Sequence, residues 1–316
     1  MGLFQMKRLQ NRIAENRYAL PITAIYGMLV CLAAGFIEHQ MWVQSVCLVV
    51  STLLMAELNN ANSLIRIYSR MVSCSYLVLT VMVSFLLPSM PGAIVGLCFI
   101  AFYLSLFNAY QDRQATGWVF YAFFAIGMAS TVFVQVLFFV PVLWILLAVN
   151  ILAFSARTFF ASLLGLIMPY WFIAAYNVYT GDFTPFIQHF VSIAKFARLF
   201  DYSLVGEHQI VTFAFMVLIS FVGIVHFLRH SFNDKIRTRM LYEIFITIDI
   251  CCMVFIVLQP QHYDCVLHIM IVNTAPLIGH FIALTRTRLT NIFFIVLMIV
   301  TLLITAYNLW ISSLIF

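Results

Sequence analysis

The chain has 316 residues, of which 64% are apolar and only 9% are charged, and its mean hydropathy is +1.05. A soluble domain carries about 25% charged residues, so this composition excludes a cytosolic enzyme, a nucleic-acid-binding module and a disordered chain. The formal net charge is +5. We therefore predict an all-α polytopic protein, folded as a transmembrane helical bundle.

A basic segment, residues 1–17, precedes the first apolar run. Met6, Leu9 and Ile13 recur at helical spacing with arginines opposite them, which predicts a short amphipathic helix on the cytoplasmic face of the membrane. The alternative is an unstructured basic tail. The segment is too polar and too long for a secretory signal. Residues 18–316 are expected to form a single integral membrane domain.

Eleven apolar runs follow, each bounded by polar residues. A helix needs about 20 mostly apolar residues to cross the hydrocarbon layer, so these runs predict about eleven membrane spans. The reversal near Val134 and Gln135 is the least marked, because 118–154 is almost uninterrupted. The predicted spans are 18–37, 41–57, 71–88, 92–110, 117–133, 135–155, 158–179, 210–228, 240–258, 265–284 and 291–315.

The lysines and arginines predict the orientation of these spans. With the N-terminus in the cytoplasm, 14 of the 16 cations fall on the cytoplasmic side, and only Lys195 and Arg198 are external. Such a bias is the positive-inside rule, which acidic residues do not follow. We therefore expect a multi-pass protein of the bacterial cytoplasmic (inner) membrane. If one helix in the middle were miscounted, the cytoplasmic and external cations would be mixed. Their separation therefore also supports the predicted number of spans.

The long external loop, 180–209, contains the candidate ligand-binding residues. From Pro185 to Phe200 an apolar stripe opposes a polar one, which predicts an amphipathic helix at the outer interface. Cationic side chains there can hold a phosphate or carboxylate. The alternative is an interfacial helix whose polar face is solvated and ion-paired. The residues are Lys195, Arg198, His189 and Asp201.

Polar side chains inside the spans form a second candidate site. A carboxylate at mid-membrane costs about 2.5–3.5 kcal/mol, so it should face the bundle interior and find partners. Matching depths predict a Glu243–His280–His226 cluster near the cytoplasmic ends and an Asp249–Asn273 pair near mid-depth. Because histidine titrates near neutrality, these groups can relay protons. The alternative is a set of buried hydrogen bonds that fix helix packing.

Metal and cofactor signals are missing from the sequence. The seven cysteines lie in or beside apolar runs without a CxxC pair, so we interpret them as small hydrophobic residues. HExxH, GxSxG, P-loop and GxGxxG motifs do not occur. We expect no metal, no cofactor and no nucleic-acid partner, and we favour a non-enzyme. The expected partners are the lipid bilayer and an envelope molecule, with a membrane-protein partner or a homo-oligomer also open.

Three turn motifs are similar to those of one protein family. They are Glu57-Leu58-Asn59, Tyr110-Gln111-Asp112-Arg113, and Arg157 followed by Gly165-Leu166-Ile167-Met168-Pro169-Tyr170. With them, the chain resembles an uncharacterised family of multi-pass inner-membrane proteins of Bacteroidota. Some members carry the label beta-carotene monooxygenase, whose iron chemistry needs a histidine cluster, whereas the eight histidines here are scattered. The resemblance implies location and architecture, and it transfers no catalytic residues.

Three functions remain open from the sequence. The first is a non-catalytic cell-envelope component that binds a lipid-linked or anionic envelope molecule through the 180–209 loop. The second is a proton-coupled transporter that uses the intramembrane carboxylates and His280. The third is a membrane glycan polymerase or transferase with Arg198, His189 and Asp201 at its site.

Overall fold

Helices provide the regular structure of this protein. The computed structural model describes residues 8–196, 199–202 and 205–315, and no strand occurs among them. The α-helices are α1 (Leu9–Ala14), α2 (Ala19–Ala33), α3 (Trp42–Asn62), α4 (Met71–Met82), α5 (Met90–Leu106), α6 (Thr116–Val132), α7 (Val140–Val149), α8 (Ala156–Thr180), α9 (Thr184–Val191), α10 (Glu207–His230), α11 (Ile236–Leu258), α12 (Tyr263–Leu284) and α13 (Arg288–Ile315).

Eleven of the helical segments are apolar. Among the described residues, seven are long and apolar enough to cross a membrane: Trp42–Asn62, Met90–Ala109, Ala156–Thr180, Glu207–Asn233, Ile236–Leu258, Pro260–Leu284 and Arg288–Ile311. The shorter apolar segments are Ala19–Ala33, Met71–Met82, Thr116–Val132 and Val134–Val149. Each of the eleven overlaps one predicted run. The prediction of an all-helical, multi-pass membrane protein is therefore confirmed.

Several predicted helices are shorter than the sequence pattern suggests. Helix α2 ends at Ala33 and α4 at Met82, whereas the predicted runs end at 37 and 88. The run 135–155 contains a 3-10 helix, Val134–Phe139, followed by α7, and Pro141 lies in the first turn of α7. The N–H that proline lacks would have no partner within the helix at this position. Pro141 therefore lies at the start of the helix and does not kink it. In the external loop, α9 ends at Val191, and a single 3-10 turn replaces the predicted continuation toward Phe200.

The N-terminal helix α1 docks on the end of α12 through polar side chains. Leu9 is half exposed, whereas Gln10, Asn11 and Ala14 are buried. Gln10 Nε2 donates to the carbonyl of Ile282 at 2.8 Å, and Asn11 Nδ2 donates to that of Thr285 at 3.0 Å. Leu9 is not used in this contact, and a place for the apolar face of α1 on the membrane surface stays a prediction. Met6 lies outside the described residues.

The chain divides into two compact units. Unit 1 contains the chain before Ser89, Gly206–Asp234 and the chain from Asn273 onward. A buried core of Val30, Leu77 and Val81 lies within it. Asn308 Nδ2 donates to the carbonyl of Met82 at 2.8 Å, where α4 ends and its last carbonyls lose their helical partners. The asparagine on α13 thus satisfies the early end of a short helix.

Unit 2 contains Ser89–Val205 and Lys235–Val272. Its core is aromatic: the Tyr103 ring lies 4.9 Å from that of Phe245 in an edge-to-face arrangement, and further phenylalanines surround them. Helices α6 and α8 approach closely through small residues. A Cβ atom on Gly165 would lie 2.5 Å from the carbonyl oxygen of Phe120, so only glycine fits this crossing.

Candidate functional site

A buried aspartate–histidine pair lies in unit 1. Asp234 follows the 3-10 turn Ser231–Asn233 after α10, and His280 lies four residues before the end of α12. Asp234 Oδ2 accepts a hydrogen bond from His280 Nε2 at 3.0 Å, and the two side chains are 3% and 1% exposed. A buried carboxylate requires such a partner, because its desolvation is otherwise costly.

Arg66 connects this pair to the protein surface. Its Nη1 lies 3.8 Å from Asp234 Oδ1 and donates to the carbonyl of Asn233 at 3.2 Å. The arginine side chain is 46% exposed. One carboxylate oxygen therefore faces a buried imidazole and the other faces a guanidinium that reaches solvent. Asp234 therefore contacts a guanidinium and an imidazole at the same time.

Two more histidines extend the pair on its other side. The rings of His226 and His230 stack with centroids 4.5 Å apart, and the His226 centroid lies 5.5 Å from that of His280. His230 is exposed, and its Nδ1–H donates to the carbonyl of His226 at 3.0 Å. His226 is buried, and its Nδ1 has no hydrogen-bond partner among the described residues.

We call these five residues, Arg66, Asp234, His280, His226 and His230, the histidine–aspartate cluster. Its two ends are exposed and its middle is buried. Phe227 and Phe281 pack edge-on against the His280 and His226 rings, respectively, which fixes the orientation of both imidazoles. The chemistry available to the cluster is proton binding and transfer, because imidazole and carboxylate groups lie in a continuous row with apolar walls.

The sequence analysis identified only part of this cluster. The predicted proximity of His226 and His280 is found. Asp234, Arg66 and His230 were not predicted as site residues. Asp234 and Arg66 lie in turns that depth matching along helices does not cover, and His230 is the last residue of α10. The available signal was that Asp234 is the only acidic residue in the stretch 229–239, which also contains four lysines and arginines.

The remaining intramembrane residues of the prediction are Glu243, Asp249 and Asn273. In unit 2, Glu243 Oε2 accepts a hydrogen bond from Asn150 Nδ2 at 2.7 Å, an interaction that the sequence did not suggest. Asp249 is fully buried in unit 2, and Asn273 is fully buried in unit 1. A place for Glu243 beside His280 and an Asp249–Asn273 pair stay predictions.

The external loop uses its histidine for packing. His189 Nε2–H donates to the carbonyl of Ser130 at 2.9 Å, and the ring lies against Tyr170. Lys195 is exposed, and its carbonyl accepts a hydrogen bond from Gln261. Asp201 is partly buried, and Arg198 lies outside the described residues. An anion site formed by these four residues therefore stays a prediction.

At the start of the same loop, Asp182 is fully exposed. The backbone N–H of Thr184 donates to Asp182 Oδ1 at 2.9 Å. This hydrogen bond favours the charged form and lowers the pKa of the carboxyl below its ordinary value. The contact is an Asx turn that leads into α9, which explains the position of Asp182 without a ligand.

Within the described residues, no group of three or more histidine, cysteine, aspartate or glutamate side chains is placed to hold a metal ion. Comparison with protein-family models, curated proteins and solved structures finds no match to this chain. The resemblance to the Bacteroidota family stays a prediction.

Proposed function

We propose that this chain is a proton-coupled transporter of the bacterial cytoplasmic membrane, in which the histidine–aspartate cluster binds and releases the proton. The observation that carries the proposal is the buried Asp234–His280 hydrogen bond, which has the exposed Arg66 on one side and the His226–His230 stack on the other. His280 and His226 lie on segments long and apolar enough to cross a membrane, and ionisable groups inside such segments are characteristic of proton and ion pathways.

Protonation changes the contacts that hold the end of α12. With Asp234 ionised, its two oxygens face His280 and Arg66. A proton on the carboxylate removes its negative charge, which weakens the attraction to both groups and loosens the turn after α10 from α12. Pro276 lies inside α12, one turn before His280, and removes a backbone hydrogen bond at which the last turns can bend. Proton binding and helix movement are thereby linked.

We also propose that the chain crosses the membrane eleven times with its N-terminus in the cytoplasm. Contacts between distant turns support this count, because residues in contact lie on the same side. If only the seven longest segments crossed, three crossings would separate Arg66 from Asp234, which lie 3.8 Å apart. With the shorter helices included, six crossings separate them, and both residues lie on one side.

Two further hydrogen bonds favour the same count. Gln44 Nε2 donates to the carbonyl of Pro88 at 3.1 Å, and Gln135 Nε2 donates to that of Ser192 at 3.4 Å. If seven segments crossed, one crossing would separate the two residues of each pair and place them on opposite sides. If eleven crossed, two crossings would separate them and place them on the same side. The length of Val134–Val149 permits a crossing, since six 3-10 residues and ten α-helical residues extend about 27 Å against a hydrocarbon core of about 30 Å.

The test is proton binding by purified protein in proteoliposomes on a solid-supported membrane. A jump to acidic pH should give a transient current, which Asp234→Asn and His280→Gln abolish. His39→Gln and Asp182→Asn remove the same groups at exposed positions and should leave the current unchanged. A solute that converts the transient into a sustained current is a transported substrate. A folded Asp234→Asn protein with a full current would contradict the proposal.

A further inference from the structure

An apolar groove of about 410 Å³ lies in unit 1. Its walls come from α2, α4, α12 and α13, with a contribution from α10, and include Ile22, Cys74, Ile282 and Met298. Ile22 and Met298 are 59% and 42% exposed, so the groove is open along one side. The volume falls within the range of about 300–1,000 Å³ that is typical of ligand pockets.

Three polar side chains in these walls are hydrogen-bonded within the protein. Thr23 Oγ1 donates to the carbonyl of Ala19 at 3.0 Å, and Thr301 Oγ1 donates to that of Leu297 at 2.8 Å. Tyr26 Oη donates to Thr305 Oγ1 at 2.9 Å. A ligand in the groove therefore meets mainly apolar surface, which suits a hydrocarbon chain.

The depth of the groove matches one leaflet of a membrane. Its wall on α4 runs from Met71 to Leu79 and its wall on α13 from Phe294 to Leu302. Each stretch rises about 12 Å at 1.5 Å per residue. Half of a hydrocarbon core of about 30 Å is about 15 Å. An acyl chain that entered from one surface would occupy the groove without reaching the other leaflet.

One end of the groove carries positive charge. Asn16 lines the groove, and its neighbours Glu15 and Arg17 line an open depression together with Tyr68. The Arg70 guanidinium lies 5.7 Å from the centre of the Tyr68 ring, and the next residue, Met71, is already in the groove wall. Two arginines and one glutamate therefore lie at the mouth, on the turns for which the sequence predicts a cytoplasmic location.

We infer that this groove binds an anionic phospholipid of the cytoplasmic leaflet, with one acyl chain along α2 and α13 and its phosphate at Arg17 and Arg70. Apolar walls, the depth of one leaflet and a cationic mouth together match an amphiphile with a single negative head. Arginine offers forked donors for phosphate oxygens. The inference depends on the membrane setting of the chain and is independent of proton coupling.

The test is photo-crosslinking in phosphatidylcholine nanodiscs that contain a trace of phosphatidylglycerol with a diazirine in one acyl chain. Labelled peptides should map to Ala19–Tyr26 and Phe294–Leu302. Arg17→Gln with Arg70→Gln should reduce this labelling by at least about fivefold, the factor expected for the loss of one surface cation near an anionic lipid. The matched control is Arg113→Gln with Arg157→Gln, which removes two exposed arginines from unit 2 and should leave the labelling unchanged.

A second variant addresses the groove itself. Met298→Trp narrows its open side without removing a buried side chain and should reduce the same labelling. Excess soluble glycerol phosphate should not compete, because the acyl chain supplies most of the binding. Equal labelling by diazirine-bearing phosphatidylcholine, full labelling of the Arg17/Arg70 variant, or competition by glycerol phosphate would each overturn the inference.

Discussion

Asp234 receives very different support from its two neighbours. The contact with His280 is buried and short, whereas the contact with Arg66 is longer and half exposed. Exposed ion pairs contribute about 0–1 kcal/mol, while the loss of one partner from a buried pair costs about 3–5 kcal/mol. The stability of this region should therefore depend on the histidine much more than on the arginine.

This difference gives a prediction at the scale of single residues. His280→Ala should lower the free energy of unfolding by about 3 kcal/mol or more, because the carboxylate of Asp234 loses its buried partner. Arg66→Gln should lower it by less than about 1 kcal/mol. The measurement is unfolding of the purified protein in detergent micelles at neutral pH, followed by circular dichroism. Equal losses for the two variants would show that the burial of the pair is not what stabilises it.

The sequence could predict two histidines of the cluster and not its carboxylate. His226 and His280 lie on long apolar helices, whose period and length define depth in the membrane. Asp234 and Arg66 lie in turns 168 positions apart in the chain, and only tertiary packing brings them together. For the external loop, the sequence did not predict that His189 attaches α9 to the end of α6, because the carbonyl of Ser130 that it contacts lies 59 positions away in the chain.

At the scale of elements, the packing of α6 on α8 depends on the absence of side chains. Gly165 faces the backbone of Phe120. A Cβ atom on Gly127 would lie 2.8 Å from the carbonyl oxygen of Leu166. Gly117 lies in the first turn of α6. By contrast with the other two, a Cβ atom on it would have no atom of another described segment within 4 Å. The two kinds of glycine should respond in opposite ways to the same substitution.

Gly165→Ala should destabilise the protein by about 1–3 kcal/mol, since the added methyl group forces the two helices apart. Gly117→Ala should leave stability unchanged or raise it by up to about 1 kcal/mol, because alanine is the better helix former. Thermal unfolding in detergent compares the two directly. A Gly165→Ala protein as stable as the Gly117→Ala protein would contradict the close contact between α6 and α8.

Element boundaries were predictable only where hydropathy defines them. Each predicted apolar run overlaps an apolar helical segment, because hydropathy alone marks such segments in the sequence. Hydropathy did not reveal that α1 packs through Gln10 and Asn11, since these amides are buried by hydrogen bonds to α12 instead of by apolar contact. Nor did it predict the 3-10 start of the Val134–Val149 segment, which lies inside an uninterrupted apolar run.

At the scale of the whole molecule, the proposals require the turns that carry Arg17, Arg66, Arg70 and Asp234 to lie on the cytoplasmic side. The cluster then opens toward the cytoplasm, and the groove faces the inner leaflet. Both conclusions follow from the same eleven crossings. Three positions distinguish this arrangement from one with seven crossings, whichever side the N-terminus occupies.

The most direct measurement is labelling of intact cells with a membrane-impermeant maleimide. Glu38→Cys, Tyr68→Cys and Lys195→Cys would each be made in a protein whose seven native cysteines are replaced, since all three side chains are exposed. Eleven crossings predict external labelling at 38 and 195, and labelling at 68 only after the membrane is permeabilised. External labelling at 68, or protection of 195, would contradict the account.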